Sequence, residues 1–213
     1  MEVKVKEILN DKEILVSITI GGTLLPKKGV NLPDSELTMP SMTEKDFTDL
    51  EFIIENNLDW VALSFVRKAA DIIALKAKIA EKDSKIKVIA KVEMPEALKN
   101  IRDIIVESDG VMIARGDLGV ELPVEQVPVI QKELIRKCMH RAKPVIVATQ
   151  MMESMMDRTK PNRSEVSDVA NAVLEGADAV MLSGETAMGE YPTQVVQTMV
   201  KIILEVEKTV YDY

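Results

Sequence analysis

Several kinds of chemistry are excluded by what this chain has little of. Among 213 residues there is one cysteine, Cys138, and one histidine, His140. A lone cysteine closes no intrachain disulfide, so the fold is not disulfide-stapled, and a reducing compartment is expected. Aromatic residues are 3% of the chain, too few to build stacking platforms for bases. Acidic residues outnumber basic ones, 35 to 27, leaving a net charge of -8. A broad negative field repels nucleic acid and anionic lipid, yet leaves room for a local cationic pocket. No apolar run approaches the ~20 residues that span a bilayer. The first residues, MEVKVKEILNDKEI, are charged and strand-like and do not read as a secretion signal. Neither nucleic acid nor membrane is an expected partner, and a cytoplasmic location is. No GxGxxG follows a strand and no GxxxxGK[ST] is present, so dinucleotide-binding and P-loop readings lack their main support.

What is present is a regular alternation. Residues 1–33 read as β structure, with Asn10-Asp11 as a turn and Gly21-Gly22 and Pro26 ending the second run. Two strands alone do not make a stable sheet, so this segment reads as the end of a β domain. From Thr43, with Asp46 three residues on as a capping partner, FTDLEFIIENN forms an amphipathic helix. Apolar runs follow at 60–65, 87–93, 110–117, 144–151 and 177–184, with helical stretches near 69–82, 95–107, 123–141, 163–175 and 192–209. A repeat of about 30 residues is the size of one strand–helix unit. The runs are apolar throughout, as in a parallel sheet covered on both faces.

Each run ends in polar groups: Ser64 to Arg67, Lys91 and Glu93, Arg115 to Asp117, Thr149 and Gln150, and Ser183 to Thr186. A polar residue after one strand is a loop start about as often as a functional group. Five consecutive strands ending this way put Lys, Glu, Arg and Asp on one rim, where βα folds carry their sites. Lys91 and Glu93, two apart on a strand, face the same side. They can form an ion pair or divide labour. Asp117 can bring a second carboxylate near Glu93, and two carboxylates are a common hold on Mg²⁺ at phosphate sites. With oxygen donors only, zinc is a poor fit. Gly116-Asp117-Leu118-Gly119 can present free backbone N–H groups to an anion. His140 reads as a helix-end cation, Cys138 as a packed apolar residue, and Glu185 as a group that orients the rim.

The motifs KKGVNLP (27–33), MTEKD (42–46), LSFVR (63–67), KVE (91–93), ARGDLGVE (114–121), KPVIVATQMMESM (143–155) and EVSDVANAVLEGADAVMLSGETAMGEYP (165–192) resemble those of the pyruvate kinase family, in the family's order. The resemblance runs from about Lys27 to the C-terminus. It implies an α/β fold: an incomplete (β/α)8 TIM-type barrel over 34–213, with a remnant of an inserted β domain over 1–33. The five runs match barrel strands four to eight.

Residue by residue, Lys91 matches the lysine that stabilises the enolate and the transferring phosphoryl group. Glu93 and Asp117 match ligands of Mg²⁺ (or Mn²⁺). Gly116, Asp117 and Thr149 match contacts to the pyruvate moiety, with Thr149 also taking part in catalysis through water. Lys28 matches a nucleotide-phosphate contact of the inserted domain, and Ser64 a residue near the monovalent cation. The family's K⁺ ligands have no matching positions here. The implied activity is phosphoryl transfer from phosphoenolpyruvate to ADP, giving pyruvate and ATP in glycolysis, by a homo-oligomer that is typically a tetramer. Two alternatives stand beside it: a fragment without turnover, and a lyase that makes a pyruvate enolate on a related barrel. The SGETA and ATQM motifs disfavour the lyase.

Overall fold

The structure is a computed structural model that describes residues 1–24, 26, 29, 30, 32 and 40–210, Val210 by its backbone alone. The chain divides into two compact units, Met1–Leu32 and Pro33–Tyr213.

The first unit holds an antiparallel hairpin of β1 (Glu2–Asn10) and β2 (Glu13–Ile20). A two-residue turn joins them, one position later than the sequence suggests. Asn10 closes it: its Oδ1 accepts the Lys12 N–H at 2.9 Å, and its amide donates to Glu13 at 2.6 Å. Apolar side chains on both strands, Ile8 and Ile18 among them, stay exposed.

The second unit opens with α1 (Glu44–Glu55). Thr43 caps it as expected, its backbone N–H donating to Asp46 Oδ2 at 2.7 Å. Then follow β3 (Trp60–Leu63), α2 (Ala69–Glu81), β4 (Lys87–Val92), α3 (Pro95–Lys99), α4 (Ile101–Glu107), β5 (Gly110–Ala114) and α5 (Arg115–Glu121). After a short 3₁₀ turn come α6 (Val127–Met139), β6 (Val145–Ala148), α7 (Arg163–Leu174), β7 (Ala179–Met181), α8 (Gly184–Ala187) and α9 (Pro192–Val210). The five strands form one parallel sheet in the order β3-β4-β5-β6-β7. Sequential order with every connection through helix is the winding of a βα barrel. This sheet is not closed: β3 and β7 are its edges. The fold is therefore α/β with an incomplete barrel, as the resemblance implies.

Burial follows position. Every residue of the central strand β5 is buried, while Trp60 and Ala62 of β3 and Ala179 of β7 are exposed. On β4, Val88, Ala90 and Val92 are fully buried while Ile89 and Lys91 are only partly so. Ile72 and Leu75 of α2, Ile104 and Ile105 of α4, Leu134, Ile135 and Cys138 of α6, Val169 of α7 and Val195 of α9 join the strands in one core.

Two local features differ from the sequence reading. The helix expected over 95–107 breaks at Asn100, whose amide donates to the carbonyls of Arg67 (2.9 Å) and Glu96 (3.1 Å), drawing the chain toward the β3–α2 turn. The Gly116–Gly119 turn is instead the start of α5, so its backbone N–H groups are partly spent in helix.

Candidate active site

Parallel strands of similar register end together, so the residues after β3, β4, β5 and β6 meet at one rim. Two clusters form there.

The first joins β3 to β4. Lys91 leaves its neighbours' apolar face, and Glu93 follows two residues later on the same side. Lys91 Nζ lies 3.1 Å from Glu93 Oε2 and donates to Ser64 Oγ at 2.8 Å. Glu93 is 2% exposed. A carboxylate so buried needs donors. It has the Lys91 ammonium on one oxygen and the Phe65 N–H, 2.6 Å away, on the other. Phe65 makes that bond from a left-handed backbone, φ 54°.

The second cluster joins β5 to β6. Gly116 N–H donates to Thr149 Oγ1 at 2.7 Å, and that hydroxyl donates to the Ala148 carbonyl at 2.6 Å. A Cβ on Gly116 would lie 3.2 Å from Thr149 Oγ1, a tight approach that would push the hydroxyl by a few tenths of an ångström. Thr149 and Gln150 both have positive φ, 70° and 54°. A β-branched residue rarely adopts that conformation, and such strain collects at functional loops.

Arg115 holds this cluster from behind. Its guanidinium, with the side chain 11% exposed, pairs with Asp168 of α7 at 2.7 Å. It also donates to Gln131 of α6 at 3.2 Å and to the Thr149 carbonyl at 2.8 Å. Consecutive residues Arg115 and Gly116 thus grip Thr149 at its carbonyl and at its hydroxyl. Glu185, 3% exposed, accepts the N–H groups of Met152 (3.2 Å) and Ser183 (2.9 Å). That is the orienting role its position suggests.

The rim therefore brings together Lys91 with Glu93, and Gly116 with Thr149. Asp117 sits on the first turn of α5 with its side chain exposed. Lys28 lies outside the described residues. Among the described residues no three His, Cys, Asp or Glu side chains converge into a metal cage. Glu93 and Asp117 each offer carboxylate oxygens, the donor type that a hard divalent cation takes. Cys138 is buried in α6 and His140 follows that helix, so neither joins the rim. A cleft of about 480 Å³ opens between α5, α6 and α7, lined by Arg115, Gln131, Asp168 and Glu175; neither Lys91 nor Glu93 lines it.

Phe65, Arg115 and Asp168 are parts of this architecture whose roles the sequence left open, and Ser64, matched by resemblance to the monovalent-cation region, contacts Lys91. Ser64 and Arg115 stand at strand ends and were visible as rim residues. Asp168 lies inside a helix, 53 positions from its partner, and carries no local signal.

A sequentially wound parallel βα sheet with an ion pair, a glycine turn and carboxylates at its C-terminal rim defines a protein of the βα-barrel class. The family model of the pyruvate kinase barrel domain matches residues 1–196. A pyruvate kinase of Staphylococcus epidermidis is 48% identical over 97% of this chain and 36% of its own length. One from Geobacillus stearothermophilus is 50% identical over 92% of this chain and 34% of its own. The crystal structure of a pyruvate kinase from Cryptosporidium parvum superimposes with a TM-score of 0.90 at 42% identity, over 97% of this chain and 44% of that one. The chain belongs to the pyruvate kinase family of phosphotransferases, and it spans well under half the length of these relatives.

Proposed function

We propose that this chain carries the phosphoenolpyruvate and metal half of a pyruvate kinase site, for phosphoryl transfer from phosphoenolpyruvate to ADP. The observation that supports this best is the pairing of half-buried Lys91 with buried Glu93 at the sheet's C-terminal rim. Phosphoryl transfer asks for positioning and positive charge more than for covalent help. The Lys91 ammonium, pinned by Ser64 and Glu93, places one fixed positive charge beside the phosphoryl group and the enolate oxygen. Glu93 and Asp117 would hold Mg²⁺ or Mn²⁺, which when bound neutralises further phosphoryl and carboxylate oxygens. The Gly116–Asp117 turn and Thr149 would line the pyruvate moiety. Thr149 holds its hydroxyl proton toward the Ala148 carbonyl, so delivery of a proton to the enolate carbon through a water requires that hydroxyl to rotate. K⁺, Lys28 at the nucleotide phosphates, a homo-oligomeric assembly and a cytoplasmic setting complete the proposal.

A second reading, ligand binding without turnover, is favoured by the open sheet. Titration with Mn²⁺ and phosphoenolpyruvate, followed by a lactate-dehydrogenase-coupled assay with ADP and K⁺, separates the two. Binding that is weakened at least tenfold in Glu93→Gln, with coupled activity abolished in Lys91→Met, is the expected pattern. Substrate binding indifferent to both changes would sink the site assignment. Binding without turnover selects the second reading.

A further inference from the structure

We infer that the Ser64–Phe65 turn is a two-point clamp that positions Lys91 and Glu93, with Ser64 the positioning residue for the lysine; the inference rests on the reading of that pair given above. The Lys91 ammonium does not serve the carboxylate alone: it has three N–H groups, donates to Ser64 Oγ at 2.8 Å and lies 3.1 Å from Oε2 of Glu93. The Phe65 N–H occupies Oε1 at 2.6 Å, so the carboxylate is held from the β3 side as well. The ammonium is thus shared between Ser64 and Glu93, and the carboxylate between Lys91 and the Phe65 N–H.

The turn bears a cost to do this. Phe65 is left-handed at φ 54° and 61% exposed as a residue, which wastes both backbone comfort and an apolar side chain. The far side of the turn is braced too. Asp71 accepts the N–H groups of Arg67 (2.9 Å) and Lys68 (3.1 Å), and Asn100 holds the Arg67 carbonyl at 2.9 Å. A loop start that merely satisfied one hydroxyl would require neither the strain nor the bracing.

The test uses the full 213-residue chain and needs no turnover. Lysines are labelled with limiting acetic anhydride, and Lys91 is quantified by mass spectrometry against the exposed lysines. Loss of one hydrogen bond to a charged group predicts about tenfold faster labelling of Lys91 in Ser64→Ala, with other lysines unchanged. Ser64→Thr, which keeps the hydroxyl, restores the wild-type rate. Ser64→Cys, nearly isosteric and a weak acceptor, should behave like Ser64→Ala and serves if the alanine variant does not fold. Wild-type labelling of Lys91 in Ser64→Ala and Ser64→Cys overturns the clamp, as does failure of threonine to rescue. A separate arm adds Mn²⁺ and phosphoenolpyruvate to the wild-type chain. If they do not slow Lys91 labelling, the substrate reading fails, while the clamp is judged on the Ser64 variants alone.

Discussion

At the scale of single residues, close approach is what shapes the rim. Gly116 packs closely against Thr149: a Cβ would stand 3.2 Å from the Thr149 hydroxyl and press it aside. The Gly116→Ala variant is expected to lose about 1–3 kcal/mol of stability, the usual cost of overpacking. Its affinity for phosphoenolpyruvate should fall further than the melting temperature implies, because the displaced Thr149 lines the proposed pocket. Calorimetric melting and ligand titration on the same sample check this, and unchanged affinity would show that the contact is structural only. The Lys91–Glu93 pair was legible in the sequence, since two residues on a strand share a side. The Ser64 and Phe65 contacts were not, because a left-handed phenylalanine leaves no local signature.

Between elements, the end of the sheet opposite the rim fixes the register. Asp109 precedes β5 and Asp178 precedes β7. Asp109 accepts the Val88 N–H at 2.8 Å through its carboxylate and returns its own N–H to the Val88 carbonyl at 2.8 Å. Asp178 does the same with Val145, at 2.8 and 3.0 Å. Each clasp ties one βα unit to a neighbouring strand. Burial pushes the Asp109 carboxyl up, but its bonds to Lys76 and to the Val88 N–H, with the charges of Lys76 and Lys143, outweigh burial and hold it below its ordinary 3.8. The stabilisation is therefore present above that value and lost as pH falls through the lower, folded-state one. The Lys76–Asp109 pair is about a third exposed, so Asp109→Asn should cost about 1 kcal/mol or less at neutral pH. Melts of both proteins from pH 7 to pH 3 should converge on the acid side. A gap that persists there would assign the effect to packing. Strand periodicity announced these elements. The break at Asn100 and the helical start at Arg115 were hidden, because both depend on partners contributed by other units.

For the molecule as a whole, the open sheet dominates. Among the described residues strands β3 and β7 are paired on one side only, and Val196, Val200 and Leu204 of α9, spaced four apart, remain exposed. Unpaired edges and apolar stripes invite association. Sedimentation of the purified 213-residue chain should show concentration-dependent self-association, and a strictly monomeric chain at micromolar concentrations would contradict this. Cys138 reports on the integrity of the core. It is fully buried, and burial first, with the Asp178 charge second, pushes its thiol up to about 12. A thiol reagent at pH 8 should leave it unmodified until denaturant opens the second unit. Rapid modification without denaturant would mean that this core does not form in the isolated chain.

The sequence by itself determined the family, the βα alternation, the two-residue spacing of Lys91 and Glu93, and the polar ending of every apolar run. All of these are written in local order: periodicity, motif and adjacency along a strand. The tertiary structure alone decided that Arg115 reaches Asp168 to grip Thr149, and that the β3 turn contacts both members of the Lys91–Glu93 ion pair. Those outcomes depend on residues 27 to 53 positions apart meeting across parallel strands. Such meetings are set by packing and register, which no window of sequence contains.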